Sequence, residues 1–383
     1  MKIDSVSKKN ANQSELLSDS DVTGPNLVNI TFFGKPSSLY NYMKDAALSI
    51  AQRANITLNI VEKCEINQLI KNYVMSIPAY ELNNEITERG HKELSAFIME
   101  MQLSILRESN FGDMNRIIVP IDFTETSEIA TNYALYIAKK KNSAIHLIHA
   151  YHPSPLEIDS GLLDHNIIAA REEKLKKYTM DLNNTWVNYK SDPLIDSHFQ
   201  IGLAADAINE VSRNIENGWI VMGSSDNSKA RKKIFGSVSI SVATHAKNPV
   251  FIIPVDYSLK PIEKVGFCVS DEDIEDSIIT QVTDLANLFG AEIHLIHIKK
   301  RKDNIDSTKL IDQFSNHYHK ELISYKEIET MNMVEGVNIY SEALSLDLLV
   351  MNKGKRGLFQ EMFHRSFTKR MAISTRIPLL IIK

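Results

Sequence analysis

Ser143–Ala150 reads SAIHLIHA, and Ala291–Ile298, 148 positions further on, reads AEIHLIHI. Upstream at the same spacing, Asn115–Ile121 (NRIIVPI) stands opposite Glu263–Val269 (EKVGFCV). Near the ends, Asn248–Pro254 (NPVFIIP) matches Ile377–Lys383 (IPLLIIK) at a spacing of 129. The second copy is therefore 19 residues shorter somewhere in its middle, where a helix or loop tolerates a deletion. Three collinear matches mark an internal repeat, and a repeat constrains the architecture before any local reading.

Each copy alternates strand and helix. Arg116–Ile121 is a short, β-branched apolar run, the pattern of a strand buried on both faces. Ser127–Lys140 follows with Ile129, Ala130, Tyr133, Ala134, Ile137 and Ala138 at helical spacing, which places one apolar face on a sheet. The expected order continues with strand Ile145–Ala150, helix Ile167–Lys190, strand His198–Ile201, helix Ala204–Asn217, strand Trp219–Met222, helix Ser237–Ala246 and strand Val250–Ile253. The second copy is expected to run through Val265–Val269, helix Ile274–Phe289, Glu292–Ile298, helix Lys309–Glu327, Leu346–Met351, helix Phe367–Thr375 and Leu379–Ile382. Short connections between alternating elements imply parallel strands and right-handed crossovers. The expected fold class is α/β, with two doubly wound parallel-sheet domains over 115–256 and 261–383.

The segment before them reads separately, as a domain over 26–107. Asn29–Phe33 is a strand, Leu39–Arg53 a helix, Thr57–Val61 a strand and Glu65–Lys71 a short helix. Residues 76–80 and Glu85–Thr87 form a hairpin about Asn83-Asn84, and His91–Met101 a final helix. Residues 1–25 are polar, without the apolar core of a signal peptide, and read as a disordered arm.

The 383 residues are 43% apolar and 24% charged, ordinary values for folded domains. A net charge of -5 argues against nucleic acid as the main partner, because no basic excess exists to neutralise phosphates. Cys64 and Cys268 are far apart and provide neither a disulfide framework nor a metal cage, as in a reducing compartment. No apolar run approaches the ~20 residues of a membrane span. The expected location is cytoplasmic.

Open parallel sheets bind ligands beyond the carboxyl ends of their strands. Two loops stand out there. One is Pro120-Ile121-Asp122-Phe123-Thr124. The other is Gly223-Ser224-Ser225-Asp226, nine further residues, then Gly236-Ser237-Val238-Ser239 opening a helix. Glycine permits close backbone approach to an anion, and a Gly-Ser helix start offers unpaired N–H groups at the positive end of the dipole. Lys229, Arg231, Lys232 and Lys233 add charge of the right sign. The competing explanation is a turn with an N-capping serine.

Together these residues resemble the nucleotide-binding branch of the universal stress protein family over Asn115 to about Asp256, through Gly-x2-Gly-x9-Gly-Ser/Thr and the opening PIDFTETSEIA. The resemblance implies that Asp122 contacts a ribose and that the backbone near Ile121 and Ala150 frames adenine. It also implies that Gly223, Gly236, Ser237, Val238 and Ser239 hold phosphates. Asp226 replaces the motif's second glycine, and a carboxylate there repels a triphosphate and restricts the loop. In the second copy the motif positions become Asn352, Lys355 and Arg365, with Ser366 retained and Ser270 in place of Asp122. That copy resembles the family in fold but not in its nucleotide motif. Its basic loop, Lys353–Arg370, reads as a solvated loop. As tandem copies commonly pair, Val250–Ile253 and Leu379–Ile382 are expected near a shared interface.

The 26–107 segment resembles thioredoxin-like redox proteins in element order and in Val74-Met75-Ser76-Ile77-Pro78-Ala79, whose proline the resemblance makes cis. Ser37 and Tyr40 stand where that family has thiols. A hydroxyl cannot perform thiol–disulfide exchange, so no oxidoreductase activity is expected.

His146/His149 and His294/His297 lie three apart on strands and point to opposite faces, so neither pair chelates one metal. No Gly-Lys-Ser/Thr phosphate loop appears. The expected function is a non-enzymatic, stress-responsive regulator holding an adenine nucleotide, ATP or AMP, with Mg²⁺ as a companion cation. Protein partners or a homodimer are expected, and neither nucleic acid nor membrane. The alternatives are a non-binding interaction scaffold and, last, a slow nucleotide hydrolase.

Overall fold

The computed structural model describes residues 27–53, 56–65, 68–69, 72, 74, 77–82, 85–90, 97, 101, 104–105, 115–153, 165–185, 193–215, 217–224, 237–269, 274–299, 305–330, 333–352 and 376–383. Expected features at 1–25, most of 65–71 and 91–101, and Phe367–Thr375 lie outside these residues.

The first unit comprises β1 (Leu27–Phe33), α1 (Ser38–Arg53), β2 (Thr57–Lys63), β3 (Ala79–Leu82) and β4 (Glu85–Glu88). Its sheet order is β2-β1-β3-β4, with β1 parallel to β2 and antiparallel to β3. Val28, Ile30 and Phe32 alternate into a core with Tyr40, Met43 and Ile50 of α1. Helix α1 starts at Ser37, whose Oγ accepts from the Tyr40 N–H at 3.1 Å. Serine at this place is thus a helix cap, and the Tyr40 hydroxyl donates to Glu62. The Ile77–Pro78 peptide is cis.

Two runs of elements follow. The first is β5 (Arg116–Pro120), α2 (Glu125–Lys141), β6 (Ala144–Tyr151), α3 (His165–Thr185), β7 (Ile195–Ile201), α4 (Ala204–Arg213), β8 (Trp219–Gly223), α5 (Ser237–His245) and β9 (Val250–Ile253). The second is β10 (Lys264–Val269), α6 (Asp276–Phe289), β11 (Glu292–Lys299), α7 (Ser307–Ser315), β12 (Ile323–Glu329), α8 (Met333–Ala343), β13 (Leu348–Asn352) and β14 (Leu379–Ile382).

In place of two separate parallel sheets, both runs join one ten-stranded sheet of order β12-β11-β10-β13-β14-β9-β8-β5-β6-β7. Each half has the same internal order, with its first strand central and its third at the edge. All pairings are parallel except the seam, where β14 meets β9 antiparallel (Leu380 opposite Phe251). The central strands β9 and β14 are buried throughout, whereas the edge strands β7 and β12 are half exposed. That contrast explains why the inner strands read as continuous apolar runs.

Helices cover both faces. Ile117, Val119 and Ile121 point to one core with Tyr133 and Ile137 of α2 and Val282 and Leu285 of α6. Ile118 points to the other, with Ile208 of α4 and Val242 of α5. Helix α2 is anchored at both ends. Thr124 caps its N-terminus, Glu125 and Glu128 occupy the first turn, and Lys139, Lys140 and Lys141 the last, all favourable to the helix dipole. It ends on left-handed Asn142, and α6 ends on left-handed Gly290, 148 positions on.

One element departs from expectation. The helix expected over Lys309–Glu327 is instead α7, a short 3-10 turn and edge strand β12. The helix α8 that follows it had no expected counterpart.

Candidate functional site

The carboxyl ends of β5, β6 and β8 enclose a cavity of about 140 Å³. Ile121, Asp122, Ala150, Gly223 and Val238 line it, with Thr126 and Ser127 of α2, Ala204 and Ile208 of α4, and Met222. Five of the nine residues singled out in the sequence therefore meet at one place. Ser239 is buried within α5 and is not among the lining residues. Ser237 opens α5. Asp226 and Gly236 lie outside the described residues.

The turn after β5 organises the mouth. Asp122 Oδ1 accepts from the Thr124 N–H at 3.0 Å and from the Thr124 hydroxyl at 2.5 Å. Thr124 Oγ1 in turn accepts from the Ser127 N–H at 3.3 Å. This Asx-type turn launches α2 and leaves Asp122 exposed, with no protein donor on Oδ2 among the described residues. Phe123 adopts φ 63° and packs its ring against His149 and Tyr178, on the α3 side of the sheet.

Backbone groups define the rest. Ile148 C=O accepts from Ile121 N–H at 2.8 Å, on the β5 side of β6. Tyr151 C=O accepts from Gly202 N–H at 2.9 Å, on the β7 side. Successive residues of a strand direct their peptide groups to alternate edges. Ala150 therefore presents N–H and C=O to the β5 side, where β5 has already ended at Pro120. A strand end of this kind offers a donor and an acceptor to a flat heterocycle.

His149, set aside above as half of a metal-chelating pair, is a supporting residue. It is 4% exposed and its Nδ1 lies 2.7 Å from Ile121 O, so Nδ1 carries the proton and donates. The bond fixes the Ile121 carbonyl at the cavity wall. Burial pushes this imidazole below its ordinary value; the bond to Ile121 opposes that, and the positive charges of Arg171 and Lys174 add to it. The same contact recurs in the second half, where His297 Nδ1 faces Val269 O at 3.3 Å. His146 and His294 bond instead to Asp196 and Ser324. Among the described residues no cluster of His, Cys, Asp or Glu is arranged to hold a metal ion.

Gly223 has a packing reason of its own. Its missing side chain was assigned to close approach of an anion. A Cβ there would overlap Thr126 Cγ2 and lie 2.8 Å from the Thr126 carbonyl oxygen. The space belongs to the first turn of α2. The neighbouring Ser224 N–H is also used internally, donating to Ile253 C=O at 2.8 Å.

Known proteins resemble this chain in sequence over the first of the two runs and in fold over more of its length. A curated relative, universal stress protein G of Salmonella typhimurium, is 29% identical over 144 residues, which is 36% of this chain and 96% of that protein. A universal stress protein structure from Archaeoglobus fulgidus shares the fold, with TM-score 0.53 and 20% identity over 70% of this chain and 96% of that one. Another structure, a universal stress protein in complex with cAMP, covers 37% of this chain and 98% of its own at 22% identity and TM-score 0.27. The Universal stress protein family model matches residues 114–254, from the entry to β5 to the end of β9. Those residues form a universal stress protein family domain.

Proposed function

We propose that this protein is a stress-response regulator whose first stress-protein domain binds an adenine nucleotide, ATP or AMP, at the carboxyl-end cavity, without catalytic turnover. The observation that carries this reading is the strand end at Ala150, unpaired among the described residues, beside the exposed Asp122 carboxylate. Adenine fits a site with one backbone donor and one acceptor in line. A ribose hydroxyl donates to Asp122 Oδ2, and phosphates extend across Gly223 towards the N-terminus of α5, where helix N–H groups favour negative charge. Mg²⁺ would accompany a triphosphate.

The wider organisation belongs to the same proposal. Identical strand order in the two halves and the seam between β9 and β14 support a tandem pair of stress-protein domains, the second without the nucleotide motif. The order β2-β1-β3-β4 supports a thioredoxin-like first unit. Its Ser37 and Tyr40, committed to a helix cap and to Glu62, support the absence of redox chemistry. Among the described residues no helix is long and apolar enough to cross a membrane, and the location proposed is cytoplasmic.

A second reading, a scaffold without ligand, is favoured by one observation: packing alone accounts for Gly223 and the Ser224 amide. Calorimetric titration of the full chain with AMP and ATP, beside Asp122→Asn, separates the two. Asparagine keeps the Oδ1 acceptor of the turn and replaces Oδ2 with a donor. Saturable binding that weakens about tenfold in D122N supports the nucleotide reading, the loss corresponding to about 1.4 kcal/mol for one hydrogen bond to a charged group. Absence of binding at millimolar ligand leaves the scaffold.

A further inference from the structure

A second opening lies at the amino ends of β8 and β9, at the other end of the strands from the carboxyl-end cavity. It is a cleft of about 560 Å³ on the face of the sheet that α2 and α6 cover. The first half contributes Lys141 at the end of α2 and Trp219 at the start of β8; the second contributes Asp284 and Leu285 of α6 and Leu380 of β14. The internal repeat gives this cleft a counterpart across the seam. The spacings of 148 and 129 carry Lys141 to Phe289, Gly218 to Asp347 and Trp219 to Leu348. In the other direction they relate Gln281 to Tyr133, Asp284 to Tyr136 and Leu380 to Phe251.

In the counterpart the chain fills the space itself. Tyr257, from the segment joining β9 to β10, is buried with its ring 5.9 Å from that of Tyr133. Burial, and after it the Asp347 carboxylate and Tyr136, push its hydroxyl above the ordinary phenol range. Its neighbours Tyr133, Asp347 and Tyr136 correspond to Gln281, Gly218 and Asp284, which all line the cleft. One half thus packs a phenol ring where the other has an opening. The two places differ in charge. The counterpart has the stacked pair Tyr136 and Phe289, with ring centroids 5.7 Å apart, where the cleft has Asp284 and Lys141. Lys141 Nζ lies 4.7 Å over the Trp219 ring, and the half-buried side chain forms no ion pair among the described residues. An ammonium held on an aromatic face keeps its N–H donors for an anion. A concave, mainly apolar wall with one such cation suits a small amphipathic acid. We propose that this cleft binds an aromatic monocarboxylate, its ring on Leu285 and Leu380, matching the place of Tyr257 in the other half, and its carboxylate on Lys141.

The test is calorimetric titration of the full chain with 3-(4-hydroxyphenyl)propionate, octanoate and tyramine, which separate ring from chain and anion from cation. The aromatic acid should bind saturably and more tightly than either of the others. Lys141→Gln should weaken it about tenfold, the loss of one charge-assisted contact. Asp284→Asn, at an exposed position, should tighten it about two- to threefold by removing a like charge that solvent partly screens. Circular dichroism checks that both variants fold, and the opposite signs of their effects separate a site from a loss of structure. No binding of the aromatic acid, equal or tighter binding of octanoate or tyramine, or an affinity unchanged in K141Q overturns the proposal. Displacement of the acid by AMP would put it in the carboxyl-end cavity and overturns it as well. The proposal stands apart from the nucleotide reading, which a failure here leaves untouched.

Discussion

Gly223→Ala decides whether this glycine serves the fold or the ligand. A Cβ at 223 overlaps Thr126 Cγ2 and comes within 2.8 Å of the Thr126 carbonyl oxygen and 3.1 Å of its carbonyl carbon. The methyl can rotate away, but the carbonyl belongs to the first turn of α2, which Thr124 caps and Asp122 orients. Relief requires moving α2 against β8, an overpacking cost of about 1–3 kcal/mol. In thermal unfolding each kcal/mol lowers the midpoint by about 2–4 °C for a domain of this size. Thr126→Ser in the G223A background removes only the methyl, so it should recover part of the loss and not all of it. An unfolding midpoint for G223A equal to that of the wild type, together with lost nucleotide binding, would refute the packing assignment and return Gly223 to the anion.

Three further outcomes follow from the geometry. Asp347→Ala removes a buried carboxylate that accepts from the Glu263 and Lys264 N–H groups at 2.9 and 3.0 Å and pairs with Lys260; urea denaturation should show a loss of about 2–3 kcal/mol, and an unchanged midpoint would contradict it. Ser37→Ala leaves the Tyr40 N–H without its cap and should cost about 1 kcal/mol by the same assay, an unchanged midpoint counting against the cap. His149, His198 and His294 are all held below the ordinary imidazole value, chiefly by burial. The unfolded chain therefore binds more protons than the folded one, and stability present above about pH 6.5 is lost as pH falls through the folded values. His149→Asn, whose amide can still donate to Ile121 C=O, should flatten the fall in urea midpoint between pH 7.5 and 5; an unchanged slope would exclude His149 as a contributor.

Much of the sheet was legible because its inner strands are buried on both faces, and β5, β6, β9, β10, β11 and β14 appear as short β-branched runs. The repeat was legible for the same reason: SAIHLIHA and AEIHLIHI fall on β6 and β11, inner strands whose Ile145, Leu147, Ile293 and Leu295 are fully buried. Edge strand β12 was not. ISYKEIE buries only Ile323 and Ile328, and its Lys and Glu suit a helix surface equally well. Helix α8 was hidden by Gly336, which reads as a breaker. Its reason is tertiary, since a Cβ there would meet Thr330 Cγ2 at 2.5 Å. In the site, the loop holding Asp122 could be found because the apolar run of its strand stops there, whereas Ala150 came from the family resemblance. Thr126, Ala204 and Ile208 come together only in three dimensions. Nothing in the local sequence of His149 tells that its ring holds the Ile121 carbonyl, or in that of Gly223 that Thr126 fills its space.

The most direct measurement follows a single backbone amide. With ¹⁵N-alanine incorporated, the Ala150 resonance can be assigned by loss of its cross-peak in an Ala150→Ser variant. On addition of AMP that resonance should move saturably, with the chemical-shift change largest at the strand end and small for alanines of the second half such as Ala286 and Ala291. If calorimetry shows AMP bound while Ala150 stays in place, the base sits elsewhere and the carboxyl-end cavity is not the nucleotide site.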